Sequence, residues 1–284
     1  MHCLFGRQVL INSILLLAFV FLLLTSCARF QDRTSTASEL AAEGGLQSVV
    51  FNTGSFRLFG YGRFSAPGKP VTIYIEGDGL AYISRRKVSS DPTPINPLAL
   101  QLAANDPARN VAYIARPCQY VDLKEEYLCQ KEYWTTARFA EQVINAVNNA
   151  IETVAQTTRS RAIHLVGYSG GGAVVTLVAA RRDDVASIRT IAGYLDPHAL
   201  NRAKGVSPLH GSLDPMTIAS QIRNVPQIHY NGSKDRTIPT WVADSFVRAV
   251  GNPSCAVRET VSATHEDGWV EYWKKSGTRL PVCR

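Results

Sequence analysis

Absences narrow this sequence before any motif does. There is no CxxC pair and the six histidines are dispersed, so the ligand spacing of a structural zinc site is missing. No self-similar period of about 20–50 residues is visible, which excludes solenoids and propellers, and no long low-complexity tract interrupts the chain. The basic residues cluster only at Arg85-Arg86-Lys87, Arg181-Arg182 and Lys274-Lys275, without interleaved aromatics. The formal net charge of +7 therefore does not read as a nucleic-acid surface, although it would favour anionic membranes or envelope polymers. A Gly-Lys-Ser/Thr phosphate loop and a dinucleotide fingerprint are both absent. Long apolar runs are missing as well, with one exception.

That exception extends from Val9 to Leu24, broken only by Asn12 and Ser13 near its start, after a weakly basic beginning with His2 and Arg7. It is short for a spanning helix and suits the apolar core of a secretory signal, with an uncleaved anchor as the alternative. Leu24-Thr25-Ser26-Cys27 resembles a bacterial lipobox. The resemblance implies removal of residues 1–26, lipid on Cys27 and a mature chain of residues 27–284. Each methylene of a buried acyl chain would add about 0.8 kcal/mol of membrane affinity. Ala28 to Gly45 is small and polar, so residues 27–45 are expected to act as a tether to a domain at 46–284. Cys3 leaves with the signal. Cys118, Cys129, Cys255 and Cys283 then remain, an even number in an oxidising compartment with three possible pairings. Cys118–Cys129 and Cys255–Cys283 are expected, because each closes a local loop.

What is present alternates. Short apolar, β-branched runs end at Gly or Pro: Val71–Ile75, Val111–Ala115, Ala162–Val166, Ile188–Ala192 and Gln227–Tyr230, with Ala256–Val261 as one more. Between them, Thr135–Val154 places Phe139, Val143, Val147, Ile151 and Val154 at helical spacing, and Pro97–Ala104 and Thr240–Val250 are shorter helical patterns. Strand and helix in alternation predict an α/β fold with a mostly parallel sheet and helices on both faces. Leu46–Phe64 reads as an antiparallel hairpin at the sheet edge. No boundary splits off a second domain. Asp196–Asn224, with three prolines, is a candidate cap or substrate loop.

One serine stands out. Gly167-Tyr168-Ser169-Gly170-Gly171 fits G-x-S-x-G, preceded by an apolar strand and followed by an Ala/Val-rich helix. In that context the turn holds a serine in a strained conformation at a helix N-terminus, where negative charge is favoured. A serine nucleophile needs a base, and the base needs an acid to orient it. Asp235, in Asn231-Gly-Ser-Lys-Asp235-Arg-Thr-Ile-Pro239, follows one strand, and His265, in Ala263-Thr-His265-Glu-Asp-Gly268, follows the last. Asp196 is the reserve acid. His164 and His229 lie inside strands and read as core or face residues, while His198 and His210 fall in the cap stretch. Oxyanion donors are expected from the backbone of Gly170 and from Asp78 or Gly79 in Glu76-Gly-Asp78-Gly79. Because the Asp78 carboxylate would oppose a developing anion, it is expected to turn away toward Arg85, Arg86 or Arg116. The loops Ser89–Pro97 and Arg116–Tyr120 are further candidates for the walls of the site.

Strand, G-x-S-x-G and helix, then an acid turn, then a histidine after the last strand, together resemble the α/β-hydrolase superfamily from about Val71 to Trp273. Glu76 departs from the pattern, standing where many members carry histidine. Gly-Tyr-Ser-Gly-Gly-Gly, Glu-Gly-Asp-Gly and Arg-Pro-Cys-Gln-Tyr are similar to a group of proteobacterial α/β-hydrolase lipoproteins of undetermined substrate. The resemblance implies a lipid-anchored serine hydrolase of the bacterial envelope, on the outer rather than the inner membrane, cleaving a carboxylic ester without metal or organic cofactor. Its partners would be an acyl substrate and a membrane. A peptidase or amidase on the same fold, or a non-catalytic binding lipoprotein, are the alternatives.

Overall fold

Runs of β-branched and aromatic residues become the buried middle of one sheet. The computed structural model describes residues 33–284; the expected signal, Cys27 and the first part of the expected tether lie outside the described residues. Residues up to Glu39 form one unit and Leu40–Arg284 another. Helix α1 covers residues 33–43, within the stretch read as a tether. The sheet and all of its covering helices belong to the second unit.

Strands β1 (Gln47–Asn52) and β2 (Arg57–Phe64) pair antiparallel, as expected for the edge hairpin. β3 (Val71–Ile75) is followed by a small separate hairpin, β4 (Tyr82–Ser84) with β5 (Lys87–Val88). β6 (Asn110–Ile114), β7 (Ile163–Tyr168), β8 (Val185–Ile191), β9 (Gln227–Gly232) and β10 (Ala256–Val261) complete an eight-stranded sheet in the order β1-β2-β6-β3-β7-β8-β9-β10. From β6 to β10 every neighbouring pair is parallel. β3, β6 and β9 are buried along their whole length. Because side chains alternate between faces, that burial requires cover on both sides.

Helices supply the cover. α2 (Leu98–Ala104) and α8 (Trp269–Tyr272) touch one another, and α2 also packs on β3 and β6. α3 (Glu141–Thr158) and α4 (Gly170–Ala179) form a second pair, and α7 (Trp241–Val250) lies against β9 and β10. On α3 the stripe Val143, Val147, Ile151 and Val154 is buried, each side chain contributing about 1.5–3 kcal/mol relative to exposure. This is an α/β-hydrolase fold.

Two local expectations are corrected. The helix expected from Thr135 begins at Glu141, after a single 3-10 turn at Lys131–Trp134. The intervening chain is drawn off the helical path: Arg138 donates to Thr135 O and reaches Asp78, and Phe139 N–H donates to Ser212 Oγ. The 196–224 stretch carries the helices α5 (Pro197–Lys204) and α6 (Pro215–Ile218), each with Pro in its first turn and an Asp side chain capping it, which its prolines had masked. Cys118–Cys129 and Cys255–Cys283 both form disulfides.

Candidate active site

The ends of parallel strands collect the polar residues of the site. β7 runs straight into Ser169, which sits at φ 49°, ψ −116°, a conformation that costs a non-glycine residue on the order of 1–3 kcal/mol. Backbone bonds hold it there: Ser169 N–H donates to Ile191 O at 2.9 Å, and Ser169 O accepts from Tyr194 N–H at 2.9 Å. The flanking glycines answer to close approach. A Cβ on Gly167 would lie 2.3 Å from Gly171 O, and one on Gly171 would lie 2.3 Å from Ile75 O.

Ser169, His265 and Asp235 meet. His265 Nε2 lies 3.1 Å from Ser169 Oγ, and Nδ1 lies 2.8 Å from Asp235 Oδ2. The Asp235 side chain is completely buried and that of His265 only 17% exposed. The other carboxylate oxygen of Asp235 accepts from Thr237 N–H at 2.7 Å and Ile238 N–H at 2.8 Å. Those bonds pin the acid in the turn after β9. The histidine loop is tied in turn by Trp269 Nε1, which donates to both Thr264 O and His265 O, while the Tyr168 ring packs 5.3 Å from the imidazole.

Asp196 is not part of this arrangement, and the reserve-acid reading is corrected. Its carboxylate caps α5 through Ala199 N–H and accepts from Ser245 Oγ at 2.6 Å. His164 faces Ser187, and His229 is satisfied by Thr190 and Gln227 and held near pKa 3 by burial, so both strand histidines are structural. His198 lies exposed, 3.6 Å from Asp214.

The loop after β3 lies against the serine. A Cβ on Gly77 would fall 3.3 Å from Ser169 Cβ, and a Cβ on Gly170 would fall 2.1 Å from Asp78 Oδ1. Asp78 thus stays beside the turn instead of pointing away from it. Arg116 Nη1 meets one of its oxygens at 3.3 Å and Arg138 Nη1 meets the other. Arg85 and Arg86 take no part in that pairing. Sequence reasoning misses Arg138, since its place in an expected helix hides it; a cation next to the first buried aromatic of that pattern is the only signal. Burial lowers the Arg116 pKa to about 10, against the pull of Asp78, and leaves it charged at neutral pH. At Arg138 burial opposes the charge, Asp78 outweighs it, and the net shift is upward.

Glu76 and the loop Arg116–Tyr120 support this arrangement from below. Gln119 Nε2 donates to Gly77 O at 3.1 Å, and its Oε1 accepts from Arg116 N–H at 3.0 Å. Cys118 and Tyr120 both carry positive φ in the same disulfide-closed loop. Glu76 is fully buried. Desolvation pushes its carboxyl up to about 7, partly offset by the N–H groups of Gly77, Ala99 and Leu100 and by the Tyr113 hydroxyl. A Cβ on Gly79 would meet Pro92 O at 2.1 Å and Gln119 Nε2 at 2.7 Å.

A cavity of about 980 Å³ opens over Ser169. Asp78, Arg138 and Tyr194 lie at its serine end, the β4–β5 hairpin forms one side, and Leu200, Asn201, Val206 and Leu209 of the cap stretch form another. The Ser89–Pro97 loop does not line it; Pro92 O instead accepts from Leu80 N–H beneath the glycine loop. Among the described residues, no group of three or more His, Cys, Asp and Glu side chains is gathered to hold a metal.

No protein-family model matches the sequence, and no curated protein matches it. Solved structures do. Est1E from Butyrivibrio proteoclasticus superposes with a TM-score of 0.56 at 12% identity, over 82% of this chain and 96% of its own. The esterase Pf2001 of Pyrococcus furiosus gives 0.54 at 12% identity, over 82% and 88%. An acylaminoacyl peptidase of Pyrococcus horikoshii gives 0.55 at 12% identity, over 81% of this chain and 39% of its own. At these identities the likeness is one of fold.

Proposed function

We propose that this protein is a serine hydrolase that cleaves carboxylic esters through an acyl-enzyme. The hydrogen-bonded series Ser169–His265–Asp235 carries the reading. His265 Nε2 takes the Ser169 proton as Oγ attacks the acyl carbonyl, and Asp235 holds Nδ1–H and stabilises the imidazolium. The backbone N–H groups of Gly170 and Asp78 bind the oxyanion. Asp78 is preferred over Gly79 because its side chain reaches Gly170, whereas a Cβ on Gly79 would meet the Pro92 loop. The imidazolium then protonates the leaving alcohol, and a water repeats the attack on the acyl-enzyme with His265 as base. Amide cleavage would use the same groups; the peptidase fold neighbour favours keeping it as the second reading.

The Leu24-Thr25-Ser26-Cys27 signal adds a lipid anchor and an envelope location to the proposal. Labelling of the purified protein with a fluorophosphonate probe, with peptide mapping of the adduct, tests the catalytic part. A single adduct on Ser169, slowed in His265→Ala, supports it; folded protein that never labels, with or without detergent, would make the chain a binding lipoprotein instead. Acyl and aminoacyl ester and amide panels then separate the two chemistries.

A further inference from the structure

The cations around the cavity differ from the Arg181-Arg182 cluster. Arg181 and Arg182 are neutralised by Glu141, Glu152 and Asp184. Arg85 and Arg86 from the β4–β5 hairpin, Lys204 from the end of α5 and Arg236 from the turn after β9 all line the cavity that contains Ser169. Among the described residues none of these four forms an ion pair; Lys204 Nζ reaches only the Arg236 carbonyl, at 3.3 Å. The one acid lining the cavity, Asp78, is already shared by Arg116 and Arg138. Glu266 and Asp267 line a neighbouring cleft beyond His265, which shares Arg236.

Positive charge from three separate elements, converging on one opening without counter-ions, raises the local concentration of anions. The four cations are exposed, whereas Leu200 and Ile238 of the same lining are buried and Tyr194 and Leu209 half-buried, so apolar surface lies deeper than this charge; the Asp78–Arg138 pair sits beside the serine. We infer that the substrate is an ester carrying a carboxylate or phosphate group a short apolar span away from the scissile carbonyl. This rests on the serine hydrolase reading. Hydrolysis adds water across the ester to give an acid and an alcohol, and one product keeps the anionic group.

The test compares 4-butyryloxybenzoate with its neutral partner 4-butyryloxybenzamide, and 4-butyryloxyphenyl phosphate as a second anion, with rates expressed per probe-labelled Ser169. We expect kcat/KM for both anions to exceed that of the amide by about tenfold or more at low salt, narrowing as salt rises toward 1 M. The paired variants Arg85→Glu/Arg86→Glu and Lys204→Glu/Arg236→Glu should each lower that ratio by about tenfold or more. Arg85→Lys/Arg86→Lys should retain it, which separates charge from fold damage. Calorimetric titration with phenyl phosphate reads the pocket without turnover. Phosphate binding that disappears in the charge-reversed variants, in a protein without hydrolytic activity, would sink the hydrolase reading and leave the anion site standing. Turnover with no preference for the anionic esters would overturn the anion site alone. So would charge reversal that releases the protein from phosphatidylglycerol vesicles while leaving the ester ratio intact, since the rim would then be a membrane-docking surface.

Discussion

Two aspartates flank the same serine, Asp235 buried and Asp78 half-buried, and they are stabilised by opposite means. Asp235 belongs to the turn that follows β9, and two backbone N–H groups from its own next three residues hold one oxygen while His265 takes the other. Asp78 belongs to the turn that follows β3, and its partners are guanidiniums 38 and 60 residues away. The first arrangement comes with the local fold. The second exists only once β3, β6 and the segment before α3 have docked, and it places three charges where water is scarce. A backbone cage therefore tolerates neutralisation of the acid, whereas an ionic cage does not.

The sharpest contrast is chemical. Ser169→Ala should remove probe labelling and lower kcat by about 10⁶ where turnover is measured. Asp235→Asn should keep the fold, since the amide oxygen can still accept from Thr237 and Ile238, while kcat falls by about 10⁴ because the histidine loses its orienting acid. Asp196→Asn, also an acid after a strand but bonded only to α5 and Ser245, should leave the pH–rate profile unmoved. Equal losses in Asp235→Asn and Asp196→Asn would break the assignment.

Stability reverses the order of the two acids. Asp78→Asn leaves Arg116, 4% exposed, without its counter-charge, and should cost about 3–5 kcal/mol in denaturant unfolding. Adding Arg138→Met should recover part of that loss by lowering the uncompensated charge. If Asp78→Asn unfolds at the same denaturant concentration as Asp235→Asn, the ionic-cage account fails.

Glu76 gives the smallest and most specific effect. Its folded pKa, about 7, lies above the ordinary carboxyl value, so the folded state binds more protons than the unfolded chain between about pH 4.5 and 7. Stability must fall as pH rises through that window and level off above it, by on the order of 3 kcal/mol in all. Glu76→Gln cannot titrate, and its unfolding free energy should lack that component between pH 5 and 8. Parallel curves for the two proteins would remove Glu76 from the account.

Legibility in the sequence divides along the same line. Ser169, Asp235 and His265 are legible because each follows a strand in chain order and each turn has its own local grammar: glycines that admit close approach, or an acid before Ile-Pro. The central strands are legible because full burial leaves an unbroken apolar run. Arg138 is not, because nothing in Thr-Thr-Ala-Arg-Phe marks a side chain recruited by an acid 60 residues earlier. For the same reason the expectation for the Asp78 carboxylate is met only in part: Arg116, one of the three arginines named, does meet it, but the carboxylate stays beside Gly170 and its second partner, Arg138, carries no local mark. The helices α5 and α6 are hidden because proline at a first turn looks, in sequence, like proline in a loop.

The position of β10 has a consequence for synthesis. Ser169 closes an elbow made from β7 and α4, whereas its base hangs from the last strand of the sheet, nearly a hundred residues later. A nascent or clipped chain that stops before His265 therefore carries the hydroxyl without the imidazole, and the acid turn points at nothing. On the proposed serine hydrolase reading, reactivity would wait for completion of the polypeptide, and unfinished copies would be chemically silent.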